Sequence, residues 1–248
     1  LDFAGTPQVP PLELGEGEDK LLLTGIADRV DGWLHEGKLY LRVVDYKTGR
    51  KKFDLSDVLY GMNLQMLLYL FSLGENGKLL YGEEIVPAGV LYVPARDGVI
   101  SEDGDISDAE LEKKRSKGLR RSGLVLSDPE VILAMEHADT PKYIPVDFKK
   151  NGPAGDALVS AERLGTLARH IDQTLCEMAS ELRRGSIAAD PYYAGQQENA
   201  CINCDYFDAC RFADGENGES MRSTPHLPAT KAVSYTHLRA HETRHDLV

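Results

Sequence analysis

The sequence predicts an α/β domain, and three observations carry that prediction. Residues 21–47 read as two strands folded about a turn, residues 55–73 and 157–184 carry apolar side chains at helical spacing, and a turn-rich segment over 190–213 holds three of the four cysteines. The chain has 248 residues, of which 42% are hydrophobic and 27% charged. Those proportions belong to a soluble globular domain and exclude a disordered, collagenous or disulfide-dense class. The strongest apolar stretch, 66–73, falls far short of the roughly 20 residues that span a bilayer, so no membrane partner is expected.

Charge narrows the function classes. With 28 Lys and Arg against 40 Asp and Glu, the net charge of −12 excludes a basic domain that coats DNA by counterion release. It leaves room for a metal-dependent enzyme that needs carboxylates where a phosphate arrives. No G-x-x-x-x-G-K-[ST] string occurs, so no ATP-binding loop is expected.

The ends are expected to lie outside the folded unit. The chain opens on Leu1 without a leader and its Pro/Gly/Glu-rich stretch from Thr6 to Glu18 marks 1–18 as a linker from a missing upstream region of a longer protein. Residues 214–232 read as a disordered tail. In 233–248, His237, His241 and His245 recur every four residues, which on a helix would stack three imidazoles as a zinc ladder. The string Val-Ser-Tyr-Thr-His-Leu-Arg-Ala-His-Glu-Thr resembles a translated sequencing adapter, however, and is set aside as an artefact. Four of the seven His then remain, and a His-based mechanism is not expected.

The first element of the domain, over 19–213, is the hairpin. If Glu36-Gly37 is the two-residue loop, opposed residues have numbers summing to 73. Trp33 then faces Tyr40 and Asp31 faces Arg42, an aromatic pair and an opposite-charge pair that favour this register. The other face receives Leu34 against Leu39, Val30 against Val43, and Asp28 against Asp45. Two carboxylates about 5 Å apart on an apolar face repel one another and are costly to desolvate. A divalent cation resolves the conflict, because Mg²⁺ is held by one or two carboxylates plus water and phosphate. Lys47 shares the face of Asp45 and would orient an attacking water and stabilise developing charge.

A helix over 55–73 follows, opened by Asp54 or Ser56 as N-cap, with Leu59, Met62, Met66, Leu70 and Leu73 on its apolar side. Gln65 and Tyr69 project together from it. Residues 102–121 hold an acidic block and then a basic one (Lys113, Lys114, Arg115, Lys117, Arg120, Arg121). This stretch either lines a DNA path or is a self-neutralising surface excursion, and the second reading is preferred. A short helix is expected after Asp128-Pro129, a strand over Tyr143–Phe148, and a long helix over 157–184 with Leu164, Ile171, Leu175 and Met178 in its apolar stripe. Cys176 on that helix reads as a packed or idle thiol. Cys201, Cys204 and Cys210 form C-x2-C-x5-C, a spacing that suits a metal or iron–sulfur cluster better than a disulfide in a cytoplasmic enzyme.

Taken in order, Gly25-Ile26-Ala27-Asp28, Val44-Asp45-Tyr46-Lys47-Thr48-Gly49 and Gln65-Met66-Leu67-Leu68-Tyr69 resemble the RecB-family branch of the PD-(D/E)XK nucleases. More narrowly, Tyr60–Leu70 and Pro87–Tyr92 are similar to the AddB-type subunits of AddAB helicase–nucleases. The resemblance implies a restriction-endonuclease-like core, a mixed central sheet flanked by helices, with a C-terminal cysteine-rich segment. It implies a Mg²⁺-dependent deoxyribonuclease (exonuclease) of double-strand-break repair and recombination. Asp28, Asp45 and the Tyr46 carbonyl would bind the metal, Lys47 would be the catalytic lysine, and Gln65 and Tyr69 would contact that lysine or the DNA. It implies DNA and an AddA-like helicase–nuclease subunit as partners. Cys201, Cys204 and Cys210 would ligate a [4Fe–4S] cluster, with the fourth cysteine and a further acidic or His metal ligand lying upstream. The rival readings are a CRISPR-associated exonuclease that joins the same motifs to C-terminal cysteines, a catalytically silent DNA-binding iron–sulfur scaffold, and a zinc-stabilised interaction module.

Overall fold

The computed structural model describes residues 10–15, 20–49, 52–96, 100, 104–138, 141–216 and 219–228. Strands β1 (Leu12–Leu14) and β2 (Leu21–Leu23) pair antiparallel before the hairpin of β3 (Arg29–His35) and β4 (Lys38–Lys47). Next come α1 (Leu55–Leu59), α2 (Gln65–Tyr81), β5 (Glu84–Pro94), α3 (Asp108–Gly118), β6 (Ser122–Leu126) and α4 (Pro129–Ala134). A small ribbon of β7 (Asp147–Lys149) and β8 (Gly152–Ala154) leads to β9 (Leu158–Val159) and the long α5 (Ala161–Arg183). The final segment holds β10 (Tyr192–Gly195), β11 (Glu198–Asn199), α6 (Phe207–Cys210) and β12 (Arg222–Ser223).

The centre is a five-stranded mixed sheet in the order β3-β4-β5-β6-β9. Its hairpin has the expected register. Pairs run from Arg29 opposite Val44 to His35 opposite Lys38. Glu36 and Gly37 take φ of 49° and 74°, the two left-handed residues of a turn whose twist matches that of the strands. The Trp33 and Tyr40 rings lie 5.5 Å apart, and Arg42 Nη2 lies 2.8 Å from Asp31 Oδ2.

Because side chains alternate along a strand, β4 divides its residues between two environments. Leu41 and Val43 are buried on the face that α2 covers with Met66, Leu67, Leu70 and Leu73. Arg42 points the other way and donates to Met135 O, 2.9 Å away, just beyond α4. Helices therefore flank both faces, as the fold class requires. α5 packs on α2 and β1, burying Leu164, Ile171 and Leu175.

Several expectations need correction. The helix foreseen over 55–73 is two helices. Asp54 caps α1 by accepting from Ser56 N, and the chain then breaks where Gly61 and Asn63 take positive φ, with Asn63 Nδ2 bonded to Asp57 Oδ2 at 2.7 Å. α2 continues past Leu73 to Tyr81. The strand foreseen over Tyr143–Phe148 begins only at Asp147, because the amides of Lys142, Tyr143 and Ile144 are taken by the Glu136 carboxylate instead of a ladder. Met178 is 40% exposed and stands off the core, whereas Cys176 packs against it as expected. Within the stretch read as a linker, Leu12 and Leu14 are buried in β1. Within the stretch read as a disordered tail, β12 pairs with β10, Thr224 is buried and Leu227 packs on the core. α3 opens on a capping box of Ser107 and Glu110 and buries no side chain, whereas Arg121, at the end of the same charged stretch, is half-buried. The histidine-bearing 233–248 lies outside the described residues.

Candidate metal-binding active site

Asp28 stands one residue before β3, so the hairpin register continued by one step sets it opposite Asp45. Its exposed carboxylate is steered by the opposite strand: Tyr46 N donates to Asp28 Oδ2 over 3.1 Å. Asp45 is more enclosed, with its side chain 15% exposed. Lys47 Nζ lies 2.5 Å from Asp45 Oδ2, an ion pair set up by their positions two apart on one face of β4. This buried oxygen accepts no hydrogen bond, so the ion pair with Lys47 is its polar contact.

β5 completes the wall. Its parallel pairing with β4 sets Tyr92 beside Asp45, and Lys47 Nζ lies 5.3 Å from the centre of the Tyr92 ring. Burial pushes the Tyr92 hydroxyl up, and the charges of Asp45 and Asp57 push it further. Asp57 on α1 is itself held above the usual carboxylate range, by burial first, against a lowering hydrogen bond from Asn63. Negative charge accumulates at this end of the sheet.

α2 contributes its first turn. Gln65 Nε2 donates to Tyr69 Oη over 3.0 Å. Gly25, three residues before Asp28, lies directly against this tyrosine, and a Cβ there would fall 2.3 Å from Tyr69 Oη. A side chain at position 25 would displace either the tyrosine or the loop that delivers Asp28. Gly25-x-x-Asp28 is thus a close contact followed by a carboxylate.

The fit to a divalent cation can be judged from the oxygen atoms. A buried carboxylate oxygen whose polar neighbour is an ammonium, on a strand whose register faces a second aspartate, has the donor chemistry that suits a hard ion. Among the described residues no group of three His, Cys, Asp or Glu side chains is gathered for a metal, and two aspartates are within the usual protein share for Mg²⁺. The cysteines form no such group either. Cys201 is half-buried, Cys204 and Cys210 are exposed, and all three are free thiols on consecutive turns. Their soft donor chemistry suits iron or zinc, but the described residues do not assemble a cluster cradle.

Residues 3–211 match the sequence profile of the PD-(D/E)XK nuclease superfamily. The chain belongs to that superfamily. Among curated relatives, the B-type component of the ATP-dependent helicase/deoxyribonuclease of Clostridium acetobutylicum is 34% identical over 90% of this chain. The same components from Thermoanaerobacter sp. and Clostridium novyi are 35% and 36% identical over 87% and 86%. The chain spans about one fifth of the length of these relatives. A D-x-K string, Asp45-Tyr46-Lys47, closes β4, and an earlier aspartate, Asp28, stands across the hairpin. No helix of the described residues is long and apolar enough to cross a membrane.

Sequence reasoning missed Tyr92 and Asp57 at this site. Asp45 and Tyr92 are brought together by a parallel pairing that passes through α1 and α2, and no local spacing reports such a partner.

Proposed function

We propose that this domain is a Mg²⁺-dependent deoxyribonuclease that cleaves single-stranded DNA as the nuclease part of a helicase–nuclease complex, working with an AddA-like partner in cytoplasmic break repair and recombination. The observation that carries the reading is the buried, hydrogen-bond-poor Oδ2 of Asp45 beside Lys47, in a chain whose Asp28 stands across the hairpin. The names of the relatives support the substrate and the complex.

On this reading Asp28, Asp45 and the Tyr46 carbonyl hold the cation, which when bound polarises the scissile phosphate and lowers the pKa of a water. Lys47 positions the nucleophile and balances charge building on the phosphate. Tyr92 limits the swing of the Lys47 ammonium, so the lysine stays over the carboxylates. Gln65 and Tyr69, already bonded to each other, guide the DNA backbone past the loop of Asp28. We further propose that Cys201, Cys204 and Cys210 are three ligands of a [4Fe–4S] cluster, with a fourth thiolate from outside the described residues. The C-x2-C-x5-C spacing and the free state of the thiols support this.

The test is Mg²⁺-dependent cleavage of single-stranded DNA by the full chain and by Asp45→Ala. Loss of cleavage in the variant is expected, and unchanged cleavage would overturn the assignment.

A further inference from the structure

The hairpin that carries Asp28 and Asp45 on one face carries the opposite imbalance on the other. A cleft of about 780 Å³ lies there, between β3, β4 and the segment after α4. Its lining includes Arg29, Arg42, Arg121 and Lys142 but only two carboxylates, Asp31 and Glu136. In a chain of net charge −12, a local excess of cations is unexpected.

Both carboxylates are already engaged. Asp31 takes Arg29 Nε at 2.6 Å through one oxygen and Arg42 Nε and Nη2 at 2.9 and 2.8 Å through the other. Glu136 accepts three backbone amides, from Lys142, Tyr143 and Ile144, at 2.6–2.8 Å. Arg42 is further fixed by Met135 O. Arg121 is left over. Half-buried, it makes no side-chain hydrogen bond or ion pair with a described residue. Its guanidinium is held below the usual arginine range, by burial first and then by Arg42, while Glu136 pulls the other way and Arg29 and Asp31 add smaller, opposed pushes. A half-buried cation beside two others, with the nearby carboxylates already bonded elsewhere, is the mirror of the buried carboxylate of the candidate site, and a further anion relieves it.

The walls restrict which anion. Trp33 and Tyr40 line the cleft, and Trp33 is braced from one side by the His35 ring, stacked at 4.3 Å and 10°. Rigid aromatic surface beside arginines is the combination that takes a base and its phosphate together. We propose that this cleft binds the sugar–phosphate backbone of single-stranded DNA, with Arg121 on a phosphate and a base against Trp33. It would be a second contact for the strand, on the sheet face away from the carboxylates, and its identity as a DNA contact rests on the nuclease reading above.

Trp33 is the single tryptophan of the chain, so its fluorescence reports this cleft directly. The full chain is titrated with an oligo-dT strand in EDTA, where no metal-dependent cleavage occurs. Saturable quenching is expected. Arg121→Gln should weaken the apparent affinity about tenfold, the size of one lost charge-assisted contact, and flatten its salt dependence. Arg121→Lys should recover most of it. Because Arg121 makes no side-chain bond with a described residue, the far-UV spectrum of each variant should match the parent. Identical curves for Arg121→Gln and the parent would overturn the proposal, as would equal quenching by polyglutamate, which would mark a docking site for acidic protein. Asp45→Ala separates the two readings. If it still cleaves DNA while quenching depends on Arg121, the catalytic assignment falls and the cleft stands; if it loses cleavage while quenching ignores Arg121, the cleft alone falls.

Discussion

Lys47 Nζ and Asp45 Oδ2 stand 2.5 Å apart on the same face of β4, yet the carboxylate oxygen has no hydrogen bond. Both residues are held by the strand, and the ring of Tyr92 confines the ammonium from the neighbouring strand. An ion pair that leaves a buried oxygen without a hydrogen bond is costly for an isolated fold and useful for a site that binds a cation.

Divalent cation should therefore stabilise the folded chain. Mg²⁺ at about 100 times its dissociation constant should add roughly 2.7 kcal/mol to the unfolding free energy. Thermal denaturation with and without Mg²⁺ measures this increment, which Asp45→Ala should remove together with cleavage.

Gly25→Ala should damage the site through Tyr69. The new Cβ would meet Tyr69 Oη at 2.3 Å and two ring atoms at 2.8 and 2.9 Å, an overpacking that costs about 1–3 kcal/mol. In a Tyr69→Ala background the same substitution should cost almost nothing. A double-mutant cycle on urea midpoints reads the difference.

His226 gives a pH dependence of known sign. Its Nδ1 lies 2.9 Å from Asp54 Oδ2 and its Nε2 lies 3.0 Å from Glu198 Oε2, tying the C-terminal segment to the cap of α1 and to β11. The hydrogen bond to Glu198 and then that to Asp54 raise its pKa. A raised folded-state pKa means the contribution is complete below the unfolded value of about 6.5 and is lost as pH rises through the folded value. The groups are largely exposed, so the effect should stay below about 1 kcal/mol. His226→Ala should lower the melting temperature at pH 5.5 more than at pH 9.

Cys204→Ser should abolish iron and sulfide binding by anaerobically prepared protein without altering the β-sheet spectrum. Cys204 and Cys210 are exposed and Cys201 is half-buried, and none of the three belongs to the core. Retained iron in this variant would exclude Cys204 as a ligand.

The hairpin was legible residue by residue, because register follows from a two-residue turn and cross-strand pairs that lie close in sequence: Trp33 with Tyr40, Asp31 with Arg42. The D-x-K string and the long α5 were legible for the same reason, since each is a local pattern, while the choice of Asp54 over Ser56 as cap was left to the structure. The break between α1 and α2 was less so, because an apolar period carries on across Gly61 and Asn63 while the backbone does not. Strands too short to show alternation, such as β1 and β12, could not be told from linker or tail.

Sequence by itself determined which side chains share a face of β3 and β4, since alternation and a tight turn leave little freedom. Only the tertiary structure decided what each face meets: Tyr92 against Lys47 on one side, Arg121 and the Glu136 loop against Trp33 and Arg42 on the other. Those neighbours arrive from β5 and from the segments around β6 and α4, and contacts so distant along the chain are selected by packing of the whole sheet and not by any local spacing.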